Sequence, residues 1–407
     1  MLKAKLELTD LKNSRRFELA ESYFKEALTI SRSPRILFEF GYYSQQQNKH
    51  TLAILLYEEA IGKYRELNKA NPTVYLSDLA ATLNNLANLH GNIKQFDKAE
   101  SEYTEVLGIC RQISKENPPA YLSDLAATLN NLANLHRNMK QFDKADSEYA
   151  EALGIRRRLS EDNPSAYLPD IAQMLNNLAI FHRDINQFDK AELEYAEAID
   201  LLRQLEEKHS AALAVTLDNL ANLHVEIGKY DEAASEFAEA LKIHCKFAEE
   251  NPAAYRLFFA ERLNNLADLH ADMRQYDKAL AEYTKALKIN RELAAEIPAA
   301  YLPDLAETLH NLAVLHRVQR QFEKALIEYT EVLEIYRQLV AEYPAYSIDL
   351  AKTLRGVALV HLELNNKSFA MSEVLEAEKL LEPLYEDSPS EYQDLHDAIK
   401  KLIEILK

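Results

Sequence analysis

Apolar residues return along this chain at intervals of three and four, the spacing that turns one face of an α-helix inward. In the string LNNLANLH at 83–90, Leu83, Leu86, Ala87 and His90 fall on one side. The next stretch repeats the period with Phe96, Ala99, Tyr103, Val106, Leu107 and Cys110. Between them, Asn92-Ile93-Lys94-Gln95 forms a short polar joint. The pattern predicts two helices folded back on each other, touching where the side chains are small, at Ala87 and Ala99.

This pair of patterns recurs. LNNLANLH returns at 129–136, then as LNNLAIFH (175–182), LDNLANLH (217–224), LNNLADLH (263–270) and LHNLAVLH (309–316). The second block reads QFDKA at 95–99, 141–145 and 187–191, then KYDEA (229–233), QYDKA (275–279) and QFEKA (321–325). An aromatic residue follows each block: Tyr103, Tyr149, Tyr195, Phe237, Tyr283 and Tyr329. Weaker copies extend outward through Gly41, Ala53 and Tyr57, and through Ala358, His361 and Ala370. Nine units are expected, starting near residues 1, 34, 80, 126, 172, 214, 260, 306 and 351.

Asn-Pro recurs between units, at Asn71-Pro72, Asn117-Pro118, Asn163-Pro164 and Asn251-Pro252. Asn suits an N-cap and Pro the first helical position, so the following helix is expected to begin there. The link at 206–213 lacks these signals. Tyr75, Tyr121, Tyr167, Tyr255, Tyr301 and Tyr346 recur just after the joints and are read as seals between consecutive units.

The order of Leu, small residue and aromatic in the first helix, then Ala and aromatic in the second, resembles the tetratricopeptide repeat. The long period and the LNNLA string are similar to its kinesin-light-chain-like subclass. His stands where the family has Tyr, and Ala replaces the usual Gly in most units. The resemblance implies an all-α, right-handed superhelical solenoid of antiparallel helix pairs. A single solenoid over 1–389 is expected, followed by a capping helix at 390–407, where Leu395, Ile399, Leu402, Ile403 and Leu406 form an apolar stripe.

Composition narrows function. Lys plus Arg number 47 against 65 Asp plus Glu, a net charge of −18. That balance argues against a nucleic-acid or anionic-membrane partner. No apolar run approaches the roughly 18 residues of a membrane span. The start lacks a signal-peptide stretch, so a cytoplasmic location is expected. Cys110 and Cys245 read as reduced, packed thiols. With 7 Gly and no HExxH, GxSxG or CxxC string, neither enzyme chemistry, a metal nor another cofactor is expected. The periodic histidines at 90, 136, 182, 224, 270, 316 and 361 would stack about 10 Å apart, too far for a shared metal with bonds of about 2.1 Å. They read as packed rings, which acid would destabilise.

The asparagines remain. Asn84 and Asn85 recur as Asn130 and Asn131, Asn176 and Asn177, and Asn264 and Asn265. Asn219 and Asn311 continue the second member, and Asn88, Asn134 and Asn222 add a row one turn on. Asn is a poor mid-helix residue, so helix propensity does not account for them. The resemblance implies that first helices line a concave groove. There the amides either bind the backbone of an extended peptide or bond one another between units. Arg137 and Arg183 against Asp218, Glu226, Glu261, Asp268, Asp272 and Glu307 would polarise a ligand, its basic part toward the C-terminal half. Arg156-Arg157-Arg158 reads as a solvated cluster on a second helix. The leading expectation is a non-enzymatic interaction scaffold for a protein or peptide partner. The alternative is a peptide-responsive sensor solenoid that controls a separate effector.

Overall fold

The computed structural model describes residues 1–9, 15–71, 74–115, 118–205 and 209–407. Among them are nineteen α-helices and no strand. The chain divides into two compact units, Met1–His209 and Ser210–Lys407.

The first unit contains α1 (Leu2–Thr9), α2 (Arg16–Ile30), α3 (Pro34–Gln46), α4 (His50–Ala70), α5 (Leu76–Asn92) and α6 (Phe96–Ile113). It continues with α7 (Pro118–Asn138), α8 (Phe142–Asp162), α9 (Pro164–Asp184) and α10 (Phe188–Gln204). The second contains α11 (Ser210–Glu226), α12 (Tyr230–Glu250), α13 (Pro252–Asp272), α14 (Tyr276–Glu296) and α15 (Pro298–Val318). It ends with α16 (Phe322–Glu342), α17 (Ser347–Glu363), α18 (Lys367–Asp387) and α19 (Pro389–Leu406). From α3 to α10 and from α11 to α18, odd-numbered first helices pair with the even-numbered second helices that follow them.

Each hairpin turns on one residue in the left-handed region. These are Asn48, Lys94, Lys140, Asn186, Gly228, Arg274, Arg320 and Asn365, with φ between 55° and 78°. The turn closes the way helix C-termini do, with an amide reaching back to a carbonyl five residues earlier: Gln95 N to His90 O is 2.8 Å. Seven of the eight carry a side chain, so each accepts the steric cost of that backbone region.

The core follows the predicted stripes. Ala87, Ala99, Ala133, Ala145, Ala179 and Ala191 are fully buried, and Tyr57, Tyr149, Tyr195 and Tyr329 have no exposed area. Close approach decides residue size at Gly356, where an added Cβ would lie 2.7 Å from the Tyr329 ring. The joint tyrosines seal as expected: Tyr75 lies against Tyr64, Tyr255 stacks on Phe247 and Tyr346 lies against Tyr336. Second helices are laced on their outer side by Arg–Glu pairs forty residues apart, Arg65–Glu105, Arg111–Glu151, Arg157–Glu197 and Arg291–Glu331. Exposed pairs of this kind contribute about 0–1 kcal/mol each.

Helices begin at the expected prolines Pro118, Pro164 and Pro252, and also at Pro298 and Pro389, which follow Ile and Ser rather than Asn. Asn163 and Asn251 occupy the preceding N-cap position, but neither side chain makes the capping hydrogen bond. Their backbone angles, with ψ of 77°, serve the entry into the helix instead. Pro72, Asn117 and residues 206–208 lie outside the described residues. In α19, Ile399, Leu402, Ile403 and Leu406 are buried in one core with Val374, Ala377 and Leu381 of α18.

Candidate functional site

In the first unit, the asparagine rows of α5, α7 and α9 meet across the joints. Asn131 Nδ2 donates to Asn84 Oδ1 at 3.2 Å, and Asn177 Nδ2 donates to Asn130 Oδ1 at 3.2 Å. The same register therefore makes the same rung twice. Asn85 Nδ2 donates to its own helix at Ala81 O (2.8 Å), and Asn134 Nδ2 to Asn130 O (3.0 Å). Asn176, Asn219 and Arg183 are likewise engaged with neighbours.

The third row holds tyrosines. Tyr103 Oη donates to Asn88 Oδ1 at 2.6 Å and Tyr149 Oη to Asn134 Oδ1 at 2.7 Å. Asp268 accepts from Tyr283 in the same register. The aromatic of the second helix thus passes through its pair, and its hydroxyl emerges at the first-helix face. Where that register carries Ile180, the Tyr195 hydroxyl is buried without a partner.

Charged residues depart from the sequence reading in three places. Arg137 Nε is held by Asp184 Oδ2 at 2.7 Å, so this guanidinium is already paired. Asp218, expected on the open face, is buried; it meets His244 Nε2 at 3.0 Å and Arg262 Nε at 2.9 Å. Its register is that of Asn84 and Asn130, and the carboxylate there draws in an imidazole and a guanidinium. Arg156, expected in solvent, is buried, with Nη1 at 2.6 Å from both Asp170 Oδ2 and Ser123 Oγ. Asn264 is also buried and donates to Thr308 Oγ1 at 2.8 Å, which places it in the joint. Asn222 is exposed, Asn265 is half-buried and Asn311 lines two pockets.

Four pockets open between consecutive first helices. In the first unit, one of about 190 Å³ lies between α5 and α7 beside Cys110, and one of about 200 Å³ lies between α7 and α9 around Asn130, Asn131, Gln173 and Asn177. In the second, a pocket of about 320 Å³ has Asp268, Asp272, Tyr276 and Asn311 in its lining. A larger one, of about 420 Å³, is lined by Asp304, Glu307, His310, Tyr336, Tyr346, Asp349 and Lys352. Carboxylates crowd this last pocket. Partial burial, then Asp304, Asp268, Asp349 and Glu261, hold the Glu307 carboxyl above its ordinary range. Partial burial and the Lys352 ammonium push the His310 ring down to about 4.

The periodic histidines have a uniform partner. Nδ1 of His90, His136, His182, His224, His270 and His316 lies 2.7–2.9 Å from the glutamate twelve residues on, from Glu102 to Glu328. His361 breaks the row: its Nδ1 has no partner and its ring stacks on Phe369. Burial raises the Glu102, Glu148 and Glu328 carboxyls despite the adjacent ring. Among the described residues no group of three His, Cys, Asp or Glu is arranged to hold a metal ion. Nor is any helix long and apolar enough to cross a membrane.

Two features escaped sequence reading although a signal was present. The glutamates recur twelve residues after each histidine. One register of the second helix changes while its surroundings repeat: Tyr64, Cys110, Arg156, Leu202, His244, Asn290 and Tyr336. These residues point into the joints. There Arg156 finds Asp170, His244 finds Asp218 and Asn290 finds Thr308 at 2.9 Å.

Models of the tetratricopeptide repeat match residues 79–120, 125–165, 170–246 and 259–338. No curated protein matches the chain. Among solved structures, a signal-transduction ATPase with a tetratricopeptide repeat sensor from Pyrococcus horikoshii aligns with a TM-score of 0.57 at 13% identity. That alignment covers 98% of this chain and 56% of the other. BtubC from P. vanneervenii gives 0.48 at 23% identity, over 60% of this chain and 92% of that one. A kinesin light chain-type protein with nearly identical repeats from Podosopora anserina gives 0.44 at 16%, over 54% and 97%. At these identities the likeness is one of fold.

Proposed function

Because the chain belongs to the tetratricopeptide repeat family, we propose that its first-helix face holds an extended segment of a protein partner. Members of this family are in general non-enzymatic, and the chain is a protein-interaction scaffold in that broad sense. The observation that carries the finer reading is the placing of the pockets. Four open between successive first helices, where they can take alternate side chains of an extended chain, and a fifth, of about 360 Å³, lies apart at the turn between α9 and α10 around Asn186 and Lys190. The amides between them keep unused donors and acceptors, since a single Asn rung employs only one of several bonding positions per residue. The Asn rows therefore serve stacking and recognition together.

Site-directed photo-crosslinking against a displayed peptide library tests this. A crosslinking residue at Gln173 or Asp272, both on first helices, is expected to capture the selected segments. The same residue at Glu105 or Glu239, on second helices, is expected to capture none. Capture from second-helix positions alone would move the site to the opposite face.

A further inference from the structure

We propose that the pocket between α15 and α17 is a receptor for an arginine side chain of a partner protein, a reading that rests on the first-helix face being the binding face. Its walls carry Asp304, Glu307 and Asp349, and its aromatic surface comes from Tyr336 and Tyr346, whose ring centroids are 6.2 Å apart. The only cation in the lining is Lys352, with Nζ 3.3 Å from Asp349 Oδ1. Asp304 and Glu307 have no cationic partner among the described residues.

A second, independent feature points to an occupant. Tyr336 is 6% exposed, and no described residue meets its hydroxyl with a hydrogen bond. Its ring is buried while its hydroxyl is not sealed in the core and is left to whatever enters the pocket. The neighbours of this one are Asp349, Glu307, Tyr346 and Asp304, all of which line the same pocket. Its counterparts Arg156, His244 and Asn290 each found a partner inside the protein. Tyr336 instead lines the pocket together with the carboxylates.

The chemistry of the lining selects the guanidinium. Its planar fork of five donors can bridge Asp304 and Glu307, give a further N–H to the Tyr336 oxygen and lie against the Tyr346 ring. An ammonium supplies three donors from one point and stacks less well. Bringing a cation in also offsets the neighbouring carboxylates that, after desolvation, hold the Glu307 carboxyl high.

Saturation-transfer NMR on the full chain tests the assignment with N-acetyl-arginine amide, N-acetyl-lysine amide and the uncharged N-acetyl-citrulline amide. Arginine amide is expected to bind measurably, at least fivefold better than lysine amide and tenfold better than citrulline amide. The double variant Asp304→Asn, Glu307→Gln is expected to weaken arginine binding at least tenfold. Asp277→Asn, Glu323→Gln, an equal charge change outside the pocket, is expected to alter it less than twofold. Tyr336→Phe is expected to weaken binding severalfold while leaving the melting temperature unchanged or higher, which keeps the test informative if the double variant does not fold. Equal loss in both double variants, equal binding of lysine or citrulline amide, or no arginine binding would overturn the proposal. Because the probes are single residues, failure here leaves the crosslinking result standing, and the two readings fall separately.

Discussion

The first-helix faces of the two units share one backbone register and carry different chemistry. In the N-terminal unit the row is amide on amide, Asn84 with Asn131 and Asn130 with Asn177. In the C-terminal unit the corresponding face adds Glu261, Asp268, Asp272 and Glu307 to an aspartate row that both units share, Asp78, Asp124 and Asp170 in the first and Asp304 and Asp349 in the second. An amide carries donor and acceptor together, so identical residues in consecutive repeats satisfy each other. A carboxylate only accepts, so identical acids repel and each must find a donor elsewhere. Asp218 shows the resolved case, with His244 and Arg262 drawn in around it. Glu307 shows the unresolved one. A repeated neutral face can stack on itself with bonding positions to spare, whereas a repeated acidic face must draw its donors from elsewhere.

The strongest test of that contrast removes the resolved acid. Asp218→Ala strands Arg262 and His244 in the joint and should cost about 3 kcal/mol, read from chemical denaturation. A loss below about 1 kcal/mol would mean that the charges relax into solvent and that the pairing is incidental. Next in size is the conversion of amide to acid. Asn131→Asp sets a carboxylate against Asn84 Oδ1 and should destabilise by about 1–2 kcal/mol at neutral pH, with recovery when the new acid is protonated. Equal stability of wild type and variant at pH 7 would show that the rung contributes nothing.

A pH titration separates the acidic pocket from the amide ladder. The His310 ring is held neutral in the fold, its value lowered to about 4 from 6.5. Its contribution is therefore complete above pH 6.5 and is lost as pH falls toward 4. Glu307 and Asp304 act in the opposite sense, because raised carboxyls bind protons more tightly in the folded state. Wild type should lose more stability than His310→Phe between pH 6.5 and 4, and parallel curves would remove His310 from the account. The smallest expected effect lies in the turns. Lys140 and Gly228 occupy the same left-handed position in the two units. Lys140→Gly should stabilise by about 0.5 kcal/mol and Gly228→Lys should destabilise by a similar amount, both visible as shifts in thermal melting.

Helix pairing, repeat register and the Ala and aromatic core were legible in the residues. Each is written in local spacing, with periods of three and four inside a helix and near-constant steps between copies. The asparagine rows were legible as rows, and both of their readings were visible. Their partners were harder to see, because Asn131 and Asn84 are joined only once two units stack. Arg156 and Asp218 illustrate the limit. Each looks like a surface charge in its own helix, and each is buried because the neighbouring pair covers it.

What the sequence determined by itself is therefore the repeating unit: its helices, its turns, the size of its contacts and its acidic balance. Hydrophobic period and side-chain volume act over one or two turns, and a one-dimensional pattern suffices to express them. What only the tertiary structure decided is which polar groups satisfy each other. Asp304 and Asp349 are far apart in the chain, and they form two walls of one pocket because α15 and α17 stand side by side. Tyr336 arrives from α16 between them with its hydroxyl unclaimed. Electrostatics and hydrogen bonding depend on distances of a few ångströms between residues of different repeats, and stacking sets those distances.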